Sequence, residues 1–228
     1  AISKARGEIL VFIDDDIIPD TNWLQEIYLS SLRHPDGLVF GGKILPLFPP
    51  CTPEWMTNSS YSFFVFGIHD LAQSEGVYKN SGTPGGGNCW VKRRVFDSGY
   101  MYDGDIGPSG YGRISGSELE FFTRLSEQGI KSVYIPTAVV KHRIEDFQTT
   151  KKYLLKRSYA SGRGVAYIKY DATSVRVFGV PRYLFRDILE NSVKALYLYL
   201  KFDIKSAFEH LMTVAHRVGC IKQYRIMT

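Results

Sequence analysis

Apolar residues run unbroken from Ile9 to Ile13 and stop at three consecutive aspartates, Asp14, Asp15 and Asp16. A short β-branched and aromatic run that ends in charge predicts a buried strand. Pro19-Asp20-Thr21-Asn22 then offers helix-start chemistry. Trp23, Leu24, Ile27, Tyr28 and Leu32 recur at helical spacing until His34-Pro35-Asp36-Gly37 ends the helix. Leu38–Phe40 and the Gly-Gly-Lys-Ile-Leu that follows predict a second strand, and strand, helix, strand implies an α/β unit with parallel strands.

The pattern weakens from Pro46 to Tyr78, where prolines give way to the aromatic stretch Tyr61–Phe66. This reads as a long insertion over the sheet, the usual place for a substrate lid. Gly85-Gly86-Gly87-Asn88 enters a strand expected to run from Cys89 to Arg94, and a Gly/Tyr/Asp-rich loop fills 97–116. A helix over Glu118–Gln128 is closed by Gly129. Strands are expected at Lys131–Ile135, before Pro136, and at Ala138–Val140. Beyond Gln148 the apolar residues take helical spacing to the end, with Lys and Arg on the other faces. The pattern divides the chain into an α/β domain (1–147) and a basic amphipathic helical tail (148–228).

Composition excludes more than it assigns. An apolar fraction of 44% and a charged fraction of 22% over 228 residues are ordinary for a globular protein and exclude collagen, coiled coil and disorder. No run of about 18 apolar residues predicts a membrane-spanning helix, and the N-terminus has no signal-peptide layout. The first residue is Ala rather than Met, so a processed or truncated chain is expected. Three scattered cysteines, Cys51, Cys89 and Cys220, suit a reducing compartment. There the formal sequon Asn58-Ser59-Ser60 is only a polar loop.

Charge is more informative. Residues 1–150 carry 13 Lys+Arg against 18 Asp+Glu, and residues 151–228 carry 15 against 5. An acidic body with a basic tail faces two different partners, and the tail's partner is anionic.

Three carboxylates at the carboxyl end of a strand stand where open α/β sheets bind ligands. Hard oxygen donors without neighbouring His or Cys in sequence favour Mg²⁺ or Mn²⁺. The alternative is a solvated acidic turn capping the next helix. In Gly116-Ser117-Glu118-Leu119-Glu120, acids sit in the first turn of a helix after a glycine. Glu118 can there be aimed into a cleft as a general base, or Glu118 and Glu120 can simply complement the helix dipole.

These segments together resemble the family 2 glycosyltransferases, which have a GT-A fold. Lys4-Ala5-Arg6-Gly7-Glu8 through Asp16, Pro19 and Trp23-Leu24 is similar to that family's Asp-x-Asp segment. Gly86-Gly87-Asn88-Cys89-Trp90 is similar to its glycine-Asn strand entry beside the acceptor. Gly116–Leu125 resembles its Gly-Glu-Asp helix, and Gly129 through His142 completes the order over about residues 1–145. The resemblance implies a Rossmann-related GT-A mixed sheet with flanking helices. It implies inverting transfer of a sugar from a nucleotide-diphosphate donor to a hydroxyl on a glycan or lipid-linked acceptor, with a divalent cation, in polysaccharide or lipid-linked glycan synthesis.

The implied roles follow the motifs. Asp16 is the main metal ligand, supported by Asp14 and His142, with Asp14 and Asp15 toward the nucleotide. Glu118 takes the acceptor proton, and Gly86, Gly87, Asn88, Trp90 and Glu120 line the substrate site. Two departures stand out. Glu118 occupies the place of the family's usual Asp, one methylene longer. The βα units that grip the nucleoside in such enzymes do not precede this Asp-x-Asp, so the chain reads as the C-terminal portion of a longer enzyme, with weak donor binding and little turnover on its own.

The tail clusters Lys151, Lys152, Lys156, Arg157 and Arg163 with interleaved tyrosines. No nucleic-acid motif accompanies it, so an anionic membrane surface is the expected partner and peripheral attachment at the inner face of the membrane, in the cytoplasm, the expected location. Arg157 or Arg163 could instead reach a diphosphate. Two other readings stay open. One is a haloacid-dehalogenase-like phosphohydrolase with Asp14 as nucleophile. The other is a catalytically incompetent sugar- or lipid-binding fragment.

Overall fold

The computed structural model describes residues 2–57, 65–71, 73–79, 82–107, 116–170 and 172–228. The sequon at 58–60, residues 61–64 of the aromatic stretch and residues 108–115 of the Gly/Tyr/Asp-rich loop lie outside them. The chain is α/β and divides into two compact units. Ala1–Thr52, Thr57–Asp103 and Glu118–Glu145 form the first; Pro53–Met56, Gly104–Ser117 and Asp146–Thr228 form the second.

The first unit is built on a mixed sheet. Strands β1 (Ile9–Phe12), β2 (Ile17–Pro19), β3 (Val39–Leu47), β4 (Gly76–Val77), β5 (Cys89–Lys92) and β6 (Ser132–Arg143) take the order β1-β5-β3-β6-β2, with β4 added on β6. Helix α1 (Trp23–Arg33) follows β2, α3 (Arg93–Asp97) follows β5, and α4 (Ser117–Glu127) precedes β6; α2 (Glu54–Thr57), after β3 in the chain, falls mostly in the second unit.

The expected β1-α1-β3 unit forms, but its strands are not neighbours: β5 inserts between them, antiparallel to both. The run Cys89–Arg94 had suggested one strand; its last two residues begin α3 instead. The two strands expected around Pro136 are one. Register jumps from Gly42 opposite Ile135 to Lys43 opposite Val139, so residues 136–138 loop out and the ladder resumes. A proline has no N–H for the ladder, and a bulge accommodates it. Helix α4 ends as its sequence implies: Gly129 takes φ +80° and Ile130 N–H donates to the Leu125 carbonyl.

Period-two alternation sorts the side chains to two faces. Leu10, Val39, Cys89 and Val91 point to one, where they pack with Val95, Phe96 and the α4 residues Phe121, Phe122 and Leu125. Phe40, Trp90, Ile135 and Val140 point to the other, under Trp23 and Ile27 of α1.

The strand order forces curvature. β1 and β2 stand at opposite ends of the order, about 19 Å apart if the sheet were flat. Phe12 and Ile17 are joined by a link that could span at most about 18 Å fully extended. That link is not extended, since Ile17 N–H donates to the Asp14 carbonyl in a turn. The sheet therefore curls until its two outer strands approach, and the aspartates bridge the opening.

The second unit contains α5 (Lys151–Ile168), a hairpin of β7 (Arg176–Val177) and β8 (Val180–Pro181), α6 (Arg182–Leu200) and α7 (Ile204–Met227). It has its own core, in which Ala166, Val180, Leu184, Cys220 and Tyr224 meet. Helices α5 and α7 touch backbone to backbone, because a Cβ on Gly162 would overlap the His216 carbonyl and one on Gly219 the Tyr159 carbonyl. No helix among the described residues is long and apolar enough to cross a membrane.

Candidate functional site

Because β5 is antiparallel to β1 and β3, and β3 is parallel to β6, the carboxyl ends of β1, β3 and β6 share one side of the sheet with the amino end of β5. The Asp14–Asp16 turn leaves β1 there. His142 lies near the end of β6, opposite Ile17 of β2. The 3₁₀ turn Gly86–Asn88 enters β5 there. Helix α4 is seated by Phe121, Phe122 and Leu125 in the core, which directs its first turn to the same place.

Glu118 lies directly on the glycine turn, so closely that a Cβ on Gly86 would stand 2.7 Å from Glu118 Cγ. A Cβ on Gly87 would stand 3.4 Å from Asp14 Oδ2. Two glycines thus form a bare floor between two carboxylates, and any side chain on Gly86 would displace Glu118. Asp14 is held above the usual carboxylate range, first by loss of hydration, then by repulsion from Asp16 and Glu118, with His142 opposing.

Asp16 and His142 form the best-defined pair. His142 Nδ1 lies 2.6 Å from the Phe66 carbonyl oxygen and Nε2 lies 3.1 Å from Asp16 Oδ2. A carbonyl only accepts, so Nδ1 carries hydrogen and donates. Nε2 and the carboxylate oxygen then require a shared proton or a cation between them. The other oxygen of Asp16, Oδ1, is buried with no hydrogen-bond partner among the described residues, an arrangement that costs free energy unless something satisfies it.

Other expected residues are occupied elsewhere. Asn88 is fully buried: its Oδ1 accepts from Trp23 Nε1 at 2.9 Å, and its Nδ2 donates to the carbonyls of Lys43 (3.0 Å) and Ala138 (2.8 Å). Trp90 is fully buried and stacks on Phe40, ring centres 5.7 Å apart. These two side chains belong to the core beneath the site and are not open to a ligand there. Glu120 is bound to Arg124 Nε at 2.6 Å, and Arg124 also donates to the Met101 carbonyl. Asp15 is exposed at the apex of the turn. Arg163 donates to the buried Gln223 Oε1 at 3.0 and 3.2 Å within the second unit, and Arg157 is exposed there.

Two contributors carried no sequence signal for this role. Phe66 acts through its carbonyl, which any residue supplies. Trp23 reads as a helix core position, although its indole N–H fixes Asn88.

Among the described residues, no group of three or more His, Cys, Asp or Glu side chains stands ready to hold a metal ion. The Asp16–His142 pair is a two-donor set. One carboxylate with one imidazole fits Mn²⁺ better than Mg²⁺, whose protein donors are oxygens; either ion would complete its shell with water and substrate phosphates. A metal-bound His commonly gives its other N–H to a carbonyl, as Nδ1 does to Phe66.

Compared with family models the chain finds no match, and no curated protein sequence matches it.

Proposed function

We propose that the first unit carries the metal- and acceptor-binding side of an inverting glycosyltransferase with a GT-A-like fold. The observation that carries this reading is the meeting of Asp16, His142, Asp14 and Glu118 around the Gly86-Gly87 floor at the carboxyl ends of the strands. Asp16 and His142 are the residues to hold Mn²⁺ or Mg²⁺. The ion, when bound, neutralises charge developing on the departing nucleoside diphosphate. Glu118 accepts the proton of the acceptor hydroxyl as the new C–O bond forms at the anomeric carbon and the sugar–phosphate bond breaks. Gly86 lets Glu118 close onto the entry of β5, and Gly87 lets Asp14 approach the same turn.

Calorimetric titration of UDP, GDP and ADP with and without Mn²⁺ tests the proposal. Metal-dependent binding of at least one nucleotide is expected, weakened about tenfold or more in Asp16→Asn and in His142→Ala. Binding indifferent to metal, or unchanged in both variants, would overturn it.

A further inference from the structure

Helix α6 turns an apolar stripe to solvent. Phe185, Leu189, Val193, Leu196 and Leu200 are all exposed, and their spacing of four, four, three and four places them on one side of the helix. Leu184 and Ala195, buried in the second unit, mark the opposite side. A surface helix normally shows water its polar face, and a contiguous exposed apolar strip of this kind marks an interaction surface.

The turns at the two ends of α6 carry a second, independent signal. Phe178 and Phe202 are the non-glycine residues with positive φ among the described residues, at +51° and +61°. Phe178 begins the two-residue loop Phe178-Gly179 between β7 and β8, a position that favours Asn or Asp. Phe202 follows the last turn of α6, where Gly is preferred, and its N–H donates to the Tyr199 carbonyl. Both are almost wholly exposed, at 85% and 89%. A large aromatic in the left-handed region is strained and here gains no packing in return, and such outliers point toward function.

Charge selects the partner. Residues 151–228 hold 15 basic against 5 acidic side chains, and the acids near α6 are engaged. Asp187 pairs with Arg217 at 3.1 Å, Glu190 leans to Arg186 at 3.6 Å, and Asp203 caps α7 by accepting from Ser206 N–H. Among the described residues Arg182, Lys194, Lys201 and Lys205 are exposed and form no ion pair. Two copies meeting through this face would bring like charges together, and a nucleic acid would leave the apolar stripe wet. An anionic lipid surface satisfies both: apolar side chains enter the acyl boundary while Lys and Arg reach the phosphates.

A small cavity of about 120 Å³ repeats this chemistry beyond Phe202, with Trp55, Ile204 and Phe208 as its apolar wall and Lys151 and Lys205 at its rim. The charges along α6 forbid spanning, so the helix lies in the plane of the interface.

We propose that α6, with Phe178 and Phe202, is a docking face that lies flat on an anionic phospholipid surface. The inference concerns the second unit and is independent of the reaction assigned to the first.

Co-sedimentation of the 228-residue chain with phosphatidylcholine vesicles, with and without phosphatidylglycerol, tests it. Binding is expected to the anionic vesicles, to weaken with salt, and to be slight on neutral ones. The variant F178N/F202G separates docking from folding. Asn and Gly suit the left-handed turns, so its melting temperature should hold or rise, while vesicle partition falls about tenfold or more. Leu189→Asp with Val193→Asp should abolish partition. Equal binding to neutral vesicles, or wild-type partition by both sets of variants, would overturn the proposal. So would absence of vesicle binding, with or without a concentration-dependent dimer that Val193→Asp dissolves.

Discussion

The indole Nε1 of Trp23 donates a 2.9 Å hydrogen bond to Oδ1 of Asn88, joining helix α1 to the turn that enters β5. The amide's other end donates to the carbonyls of Lys43 and Ala138, the two strands parted by the bulge at 136–138. One buried side chain thus satisfies three groups that the interrupted ladder and the α1 packing would leave unpaired. Asn88→Ala should cost about 3–5 kcal/mol by denaturant unfolding, because three buried polar groups lose their partner. Asn88→Asp, which turns acceptors toward two carbonyls, should be no better. A loss under about 1 kcal/mol in both would show that the bulge holds itself together.

Gly86 has no room for a methyl group beneath Glu118. Gly86→Ala should therefore push the carboxylate out of place, lowering sugar transfer about tenfold, with little change in melting temperature. Gly87→Ala is the comparison: its Cβ would meet Ile17 Cδ1 at 3.2 Å and Asp14 Oδ2 at 3.4 Å but not Glu118, so a smaller loss is expected. Equal losses in the two variants would separate Glu118 from the reaction.

Removing the proposed base gives a sharper kinetic signature. Glu118→Gln keeps the shape and loses the proton acceptor, so kcat should fall about 10²–10⁴-fold with donor affinity by calorimetry little changed. Glu118→Asp retracts the carboxylate by one methylene, and a smaller loss is expected. Unchanged turnover in Glu118→Gln would remove the residue from the mechanism.

Two histidines make stability depend on pH. Burial lowers His69 to about 4, and burial followed by the nearby Arg217 lowers His216 to about 4. Between pH 6.5 and 4 the unfolded chain takes up protons at these positions while the folded chain does not, so stability falls as pH falls through that window and levels off below it. About 3 kcal/mol per histidine is at stake. Guanidinium unfolding at pH 7.5, 6 and 5 should show the decline, and His69→Gln, able to keep a hydrogen bond to the Tyr78 hydroxyl, should remove about half of it.

Much of this arrangement was legible in the sequence wherever chemistry is local. The run Ile9–Phe12, the α4 start at Glu118, the Gly129 cap and the helical nature of the tail all follow from period, capping and backbone geometry. The place of β5 between β1 and β3 was not legible, since either neighbour satisfies a short apolar strand equally. Pro136 reads locally as a strand end. It lies inside β6 only because the chain around Asn88, nearly fifty residues away, supplies the missing pairing. Asn88 and Trp90 show the same limit: a motif can place a residue beside a site while the fold turns its side chain into the core.

The Asp14–Asp16 turn is the shortest connection in the sheet, yet it joins two strands whose partners lie far along the chain. β1 pairs Ile9 with Lys92, and β2 pairs Ile17 with His142. Such distant pairings are slow to form, so the acidic turn takes its final shape only when the last strand of the unit has arrived. His142 reaches Asp16 only where β6 has joined β2, so a cation held between them would bind the finished unit.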